Sequence, residues 1–262
     1  MSNKRTRERH LAKLASRRRA QRQRHARQRG AALVVGLAIV VFLGYMGWHT
    51  FLRGTTPTKA AGGKPACTKT VPPAAGKKKP VYKHPPENVL KPGTTYTATV
   101  ETSCGTFVFK LDQKLAPHTV GSIVFLARHH FFDGLTFHRT VKGFVIQGGD
   151  PKGDGTGGPG YKTVDVPPKT ATYPIGTVAM AKGSSEPAGT SGSQFFVVTS
   201  ASADASLAPQ GQGPQYAIVG HVTSGIDVVK TIEAQPQAPG ATGGDGKPAQ
   251  TIYIVKVTIS ES

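Results

Sequence analysis

Between residues 95 and 259 glycine turns cut the chain into short β-rich pieces, a pattern that few backbone architectures accommodate. Residues 95–102 end at Ser103-Cys104-Gly105, and residues 106–111 then alternate again, so the pair reads as a hairpin. Further β-rich pieces fall at 135–139, 144–147, 177–181, 195–199, 217–219 and 251–259. Two stretches have helical spacing instead. One opens at Ala116-Pro117 and repeats through Val120, Ile123, Val124 and Ala127; the other covers 225–232. The pattern predicts a mainly β domain, a closed antiparallel barrel of about eight strands capped by two helices. About 170 residues suffice to bury a real core.

The net charge of +19 does not belong to these pieces. Residues 1–29 carry +11 and residues 53–91 carry +8, whereas residues 92–262 are neutral. A fold that grips nucleic acid needs its own basic face, so no nucleic-acid partner is expected for the folded domain. Residues 30–52 hold no Lys, Arg, Asp or Glu, and about 20 apolar residues are enough to cross a bilayer as a helix. Tyr45 and Trp48 near the end of this run suit an interface, and Arg22, Arg24, Arg27 and Arg29 before it should stay cytoplasmic. A cleaved signal peptide fits less well, since its apolar core is usually about 7–15 residues and its basic region short.

The predicted organisation is therefore a basic cytoplasmic tail (1–29), a single transmembrane helix (30–52), a disordered Pro/Lys-rich linker (53–91) and a folded domain (92–262) outside the cytoplasm. Cys67 and Cys104 fall on the exported side, where a disulfide is permitted; the alternative is two unpaired thiols.

Most chemistry-bearing motifs have a plain structural reading. The glycine-rich stretch 148–160 is followed by no helical pattern, as a phosphate loop requires, and lacks the acid spacing of a calcium loop, so it reads as a tight surface loop. His129, His130 and His138 have no partners at zinc spacing and read as satisfied or exposed. Ser184, Ser185, Ser191 and Ser193 form no nucleophile elbow. No metal or cofactor is expected. Arg139 stands apart. Phe137-His138-Arg139, followed by Gly143-Phe144-Val145-Ile146-Gln147-Gly148-Gly149-Asp150, sets an arginine, two phenylalanines and a glutamine between turn glycines. Such a set can hold an apolar ring and offer hydrogen bonds to an amide beside it.

These motifs continue with Gly155-Thr156-Gly157-Gly158-Pro159-Gly160-Tyr161, Gly176-Thr177-Val178-Ala179-Met180-Ala181 and Gly192-Ser193-Gln194-Phe195-Phe196. In that order, over nearly all of residues 95–260, they closely resemble the cyclophilin-type peptidyl-prolyl isomerases. The resemblance implies catalysis of cis–trans exchange at X–Pro bonds, with proline-containing polypeptides as substrates. It makes Arg139 the catalytic donor, Phe144, Met180, Phe196 and Leu207 the proline pocket, and Gln147 a group near the substrate carbonyl. Gln194 and the backbone of Ala181-Lys182 match the groove for residues before proline, and Tyr216 borders the pocket. The chain departs from the family where Ser206 replaces a frequent tryptophan, Tyr216 a histidine, Lys182 an asparagine and Val145 a methionine, and where 183–192 is longer than usual. These changes surround the site and suggest an altered substrate preference. With the anchor, the expectation is a membrane-tethered isomerase that accelerates folding of exported proteins; the alternative is a chaperone or adaptor that holds proline segments without turnover.

Overall fold

The structure, a computed structural model, describes residues 66–262. The basic tail and the apolar run 30–52 lie outside the described residues, among which no helix is long and apolar enough to cross a membrane.

The hairpin forms as its alternation dictates. Strands β1 (Tyr96–Thr102) and β2 (Gly105–Leu111) pair antiparallel with Val100 opposite Phe107. Tyr96, Ala98, Val100, Phe107, Phe109 and Leu111 all point into the core. The chain continues through β3 (Arg139–Val141), β4 (Val145–Gly148), β5 (Thr163–Val164), β6 (Thr177–Met180), β7 (Thr190–Ser191), β8 (Phe195–Val198), β9 (Ile218–Ser224), β10 (Asp245–Gly246) and β11 (Ile254–Glu261). Nine of them form one antiparallel sheet in the order β10-β3-β4-β8-β6-β9-β2-β1-β11, and β5 pairs with β7 separately.

The closed barrel of about eight strands expected from sequence is thus a nine-stranded sheet with two edges. Its ends meet through irregular chain. The Gly134 and Phe137 amides donate to the Ile254 and Ile252 carbonyls at 2.7 and 2.9 Å, and Thr136 bridges both Tyr253 and Asp150. This segment lies so close to β4 that a Cβ on Gly148 would stand 3.0 Å from the Phe137 ring and from the Thr136 carbonyl.

Three helices accompany the sheet among the described residues, one more than the spacing predicted. Helix α1 (Pro117–Arg128) buries Val120, Ile123, Val124 and Ala127, as its period requires. Ala116 gives it no side-chain cap. The buried Asp165 substitutes, accepting from the Thr119 amide at 2.7 Å and the Thr119 hydroxyl at 2.6 Å. Helix α2 (Ala203–Leu207) is a single turn too short to show a period, and α3 (Ile226–Glu233) buries Val228, Val229 and Ile232.

Residues 66–91 differ from the linker without fixed structure that composition suggested. Cys67 and Cys104 are joined by a disulfide, and the Thr68 amide donates to the Ser103 carbonyl at 2.7 Å. Lys79 donates to the Asp133 carbonyl, and the Tyr82 amide to the Pro159 carbonyl at 2.8 Å. The Tyr82 ring meets Phe125 edge-on at 5.1 Å. Gly134 and Gly160 make room for this strap: a Cβ at either would fall within 2.5 Å of backbone atoms of Ala74 or Tyr82. The segment has too little apolar surface to build a core, but it needs none when it lies on one already formed.

Candidate active site

The sheet is buried on both faces over β4, β6 and β8, and the two faces hold different clusters. Ile146, Val178, Met180, Phe195 and Val197 belong to the main core. Val145, Ala179, Phe196, Val198 and Ile218 belong to a second cluster with Tyr173, Ala203 and Leu207, and Phe144, Ala181 and Tyr216 pack against it. Successive strand residues face opposite sides, so a step of one residue changes the cluster.

The ladder register builds the site from that rule. Arg139 stands opposite Gln147, Gln147 opposite Phe196, Phe196 opposite Ala179, and Ala179 opposite Ile218. Directly opposed residues share a face, so these five form one row across five strands. The row runs from a guanidinium through an amide to an apolar floor. Above it opens a cavity of about 470 Å³, lined among others by Arg139, Phe144, Val145, Gln147, Phe196, Leu207 and Tyr216. Met180 is not part of it. The sequence reading put Met180 in the pocket, but it is fully buried one step out of phase, in the main core. Val145 lines the pocket instead.

Arg139 is held on two sides. Its Nε and Nη2 donate to the two carboxylate oxygens of Asp245 at 2.7 and 2.6 Å, and its Nη1 donates to Gln147 Oε1 at 3.1 Å. Gln147 Nε2 passes a hydrogen bond to Gln194 Oε1 at 3.0 Å, and Gln194 Nε2 ends the relay on the Gly155 and Gly157 carbonyls, each at 2.9 Å. Gln194 therefore ties the loop after β4 to the site. That loop is the tight turn the sequence predicted: Asp150 accepts from the amides of Lys152, Asp154 and Gly155. A second depression, of about 350 Å³, adjoins the relay and is lined by Ala181, Lys182 and Gln194.

Apart from Val145, which lines the pocket, the departures from the family pattern lie around it. Lys182 Nζ donates to the Glu186 carbonyl at 2.9 Å and lies 5.7 Å from the centre of the Tyr216 ring, so its cation is engaged within its own loop. Glu186 in turn pairs with Lys162 at 2.8 Å, which holds its carboxyl below the ordinary value, and it accepts from the Gly183 amide. Tyr216 stands edge-on to Phe196 at 5.3 Å and so walls the pocket as an aromatic. Ser206 lies in α2 beside Leu207, which is buried.

His138 also lines the cavity, and here the reading of a satisfied or exposed histidine fails. It is buried, and neither ring nitrogen has a hydrogen-bond partner. Burial pushes its imidazole below the ordinary value, so the ring is the neutral form. Three further residues that shape the site carry no signal in the sequence: Asp245, which holds Arg139, Tyr173, which bonds to the backbone of Tyr216, and Glu233, which holds the turn before Phe144.

An apolar, aromatic-walled recess with a fixed cation at its edge and a groove beside it can hold a small ring and donate hydrogen bonds to an amide next to that ring. The cyclophilin type peptidyl-prolyl cis-trans isomerase/CLD family matches residues 97–259. The chain belongs to that family and is an enzyme of its type. It is 40% identical over 125 residues to peptidyl-prolyl cis-trans isomerase B of Bacillus subtilis, covering 47% of this chain and 80% of that protein. It is 37% identical over 174 residues to the probable peptidyl-prolyl cis-trans isomerase B of Mycobacterium tuberculosis, and spans 52% of that protein's length. A crystal structure of a Cryptosporidium parvum cyclophilin type isomerase, solved also in the presence of the dipeptide Ala-Pro, aligns over 64% of this chain and 99% of its own, with a TM-score of 0.54 and 29% identity.

Proposed function

We infer that this isomerase turns X–Pro bonds by presenting Arg139 to the prolyl nitrogen, and that its clients are exported polypeptides. Rotation about the bond must break amide resonance, against a barrier of about 18–20 kcal/mol. In the twisted geometry the nitrogen regains its lone pair. A donor aimed there stabilises the twisted form more than either planar one, which is catalysis by differential binding. A guanidinium suits the task because it stays charged and donates in a fixed plane, so no proton needs to be transferred. Phe144, Val145, Phe196, Leu207 and Tyr216 would seat the pyrrolidine ring, Gln147 would meet the substrate carbonyl, and Ala181-Lys182 with Gln194 would line the path of the residues before proline.

The observation that carries this reading is the row of opposed residues, which sets Arg139 at one end of the apolar floor formed by Phe196. In a protease-coupled proline-peptide assay on the full chain, Arg139→Ala should keep the fold and lower kcat/KM by about 100-fold, the usual scale for removing an electrostatic donor. Equal activity in the two proteins would exclude the mechanism.

The exported setting rests on separate support. Residues 30–52 are long and uncharged enough to span a bilayer, the preceding arginines favour a cytoplasmic tail, and a disulfide between Cys67 and Cys104 suits an oxidising compartment. On this reading the domain is tethered to the cell membrane by one helix and works outside the cytoplasm. Protease added to intact cells should then degrade the domain while sparing the tail; protection of both would place it inside.

A further inference from the structure

We propose that Asp245 is the positioning residue for Arg139, fixing the plane in which its remaining donors face the substrate. The inference rests on the reading of Arg139 as the catalytic donor. A guanidinium has five N–H groups. Asp245 takes one on Nε and one on Nη2, Gln147 takes one on Nη1, and two remain for a ligand. The paired contact to Asp245 is a side-on fork, which fixes both direction and plane, where the single contact to Gln147 leaves the plane free to turn. Arg139 and Asp245 side chains are 39% and 43% exposed, so the pair adds little to folding and its value is geometric.

The chain around Asp245 is built to deliver it. Gly243 and Gly244 both have left-handed backbones, and the Asp245 amide closes the turn on the Thr242 carbonyl at 3.0 Å. Asp245 then pairs with Val141 and Gly246 with Thr140, which makes β10 the edge neighbour of the strand that carries Arg139. Gln237 Nε2 donates to the carbonyls of Thr140 and Gly244 at 2.8 and 2.7 Å, and the Lys142 amide reaches the Gly244 carbonyl at 2.9 Å. The acid is thus anchored to the backbone of β3, and the arginine is pinned to its own strand at a second point.

The test compares Asp245→Ala, Asp245→Glu and Arg139→Ala, singly and with the two alanines combined, in the full chain. Asp245→Ala should lower kcat about 10-fold with little change in KM, because a displaced group near the reacting bond costs rate before it costs binding. Asp245→Glu should recover part of the loss, since a carboxylate can still offer the fork. The double alanine variant should be no slower than Arg139→Ala alone, an outcome a general packing defect would not produce. If Arg139→Ala is slow while Asp245→Ala matches or exceeds the wild type, or if the two losses add, the positioning role is wrong and the donor role stands. If Arg139→Ala retains full activity, the donor role itself falls.

Discussion

Tyr173 grips the backbone of Tyr216 at both polar atoms. Its hydroxyl donates to the Tyr216 carbonyl at 2.8 Å and accepts from the Tyr216 amide at 3.0 Å. The hydroxyl is buried, and burial pushes its pKa up to about 12, so it serves as a neutral donor and acceptor across the working range. Tyr216 forms the rim of the pocket, so Tyr173 sets where that rim stands. Tyr173→Phe keeps the ring and strands two backbone groups, at a cost of about 1–3 kcal/mol. Chemical denaturation should report that loss, and KM for a proline peptide should rise more than kcat falls. An unchanged denaturation midpoint would show that these bonds are replaced by solvent.

Glu233, at the end of α3, performs the same service for the opposite wall. Its Oε1 accepts from the Gly143 amide at 2.8 Å and from the Thr199 hydroxyl at 2.6 Å. Gly143 lies in the turn between β3 and β4, in the left-handed region, and Phe144 follows it. Glu233→Ala should destabilise the domain by about 1 kcal/mol and weaken peptide binding severalfold, since the ring of Phe144 then rides on a loose turn. Titration with a proline peptide by calorimetry measures the second effect; wild-type affinity would mean that the hydrogen bond from the Thr199 amide to the Phe144 carbonyl, at 2.9 Å, is enough to position the turn.

The parts of this fold legible in the sequence are those whose burial is one-sided. The hairpin of β1 and β2 shows its period because its outward positions are less buried than its inward ones. The family resemblance places Met180 in the pocket, and because β6 is buried on both sides it has no alternation in the sequence that would correct this. The family pattern points to Arg139, yet Asp245 lies 106 residues away in a glycine-rich turn, where an acid is ordinary. Tyr173 acts on backbone atoms, and Glu233 on a backbone amide and one distant hydroxyl, and such contacts leave no motif in the sequence. The strap of 66–91 looked disordered because composition tests whether a segment can form its own core, and this one uses another's.

The disulfide that fastens the strap spans 37 residues, including the contacts of Lys79 and Tyr82. On the chain-entropy view such a closure stabilises by about 4 kcal/mol, as an upper figure. Replacing Cys67 and Cys104 by serine should release residues 66–78 first, because little apolar surface holds them. Hydrogen exchange should then quicken at Thr68, whose amide is bonded to Ser103, while Phe137 in the closing segment stays protected. Equal protection at Thr68 with and without the bridge would show that packing alone holds the strap.

His138 makes stability depend on pH with a definite sign. In the folded domain its imidazole is buried without a hydrogen-bond partner, and desolvation holds it below the ordinary histidine value; Asp150 and Asp154 oppose the shift, while Arg139 and Lys247 add to it. The unfolded chain, with an unperturbed value of about 6.5, therefore binds the proton more readily than the folded one. Stability is at its fullest above that value and is lost as pH falls through the window between the unfolded and folded values, after which this group contributes no further change. His138→Gln removes the titration and leaves a neutral side chain in its place. Urea midpoints measured from pH 8 down to pH 5 should fall more steeply in the wild type than in the variant. Parallel curves would assign the acid sensitivity to other groups and show that His138 finds a way to carry its proton in the folded state.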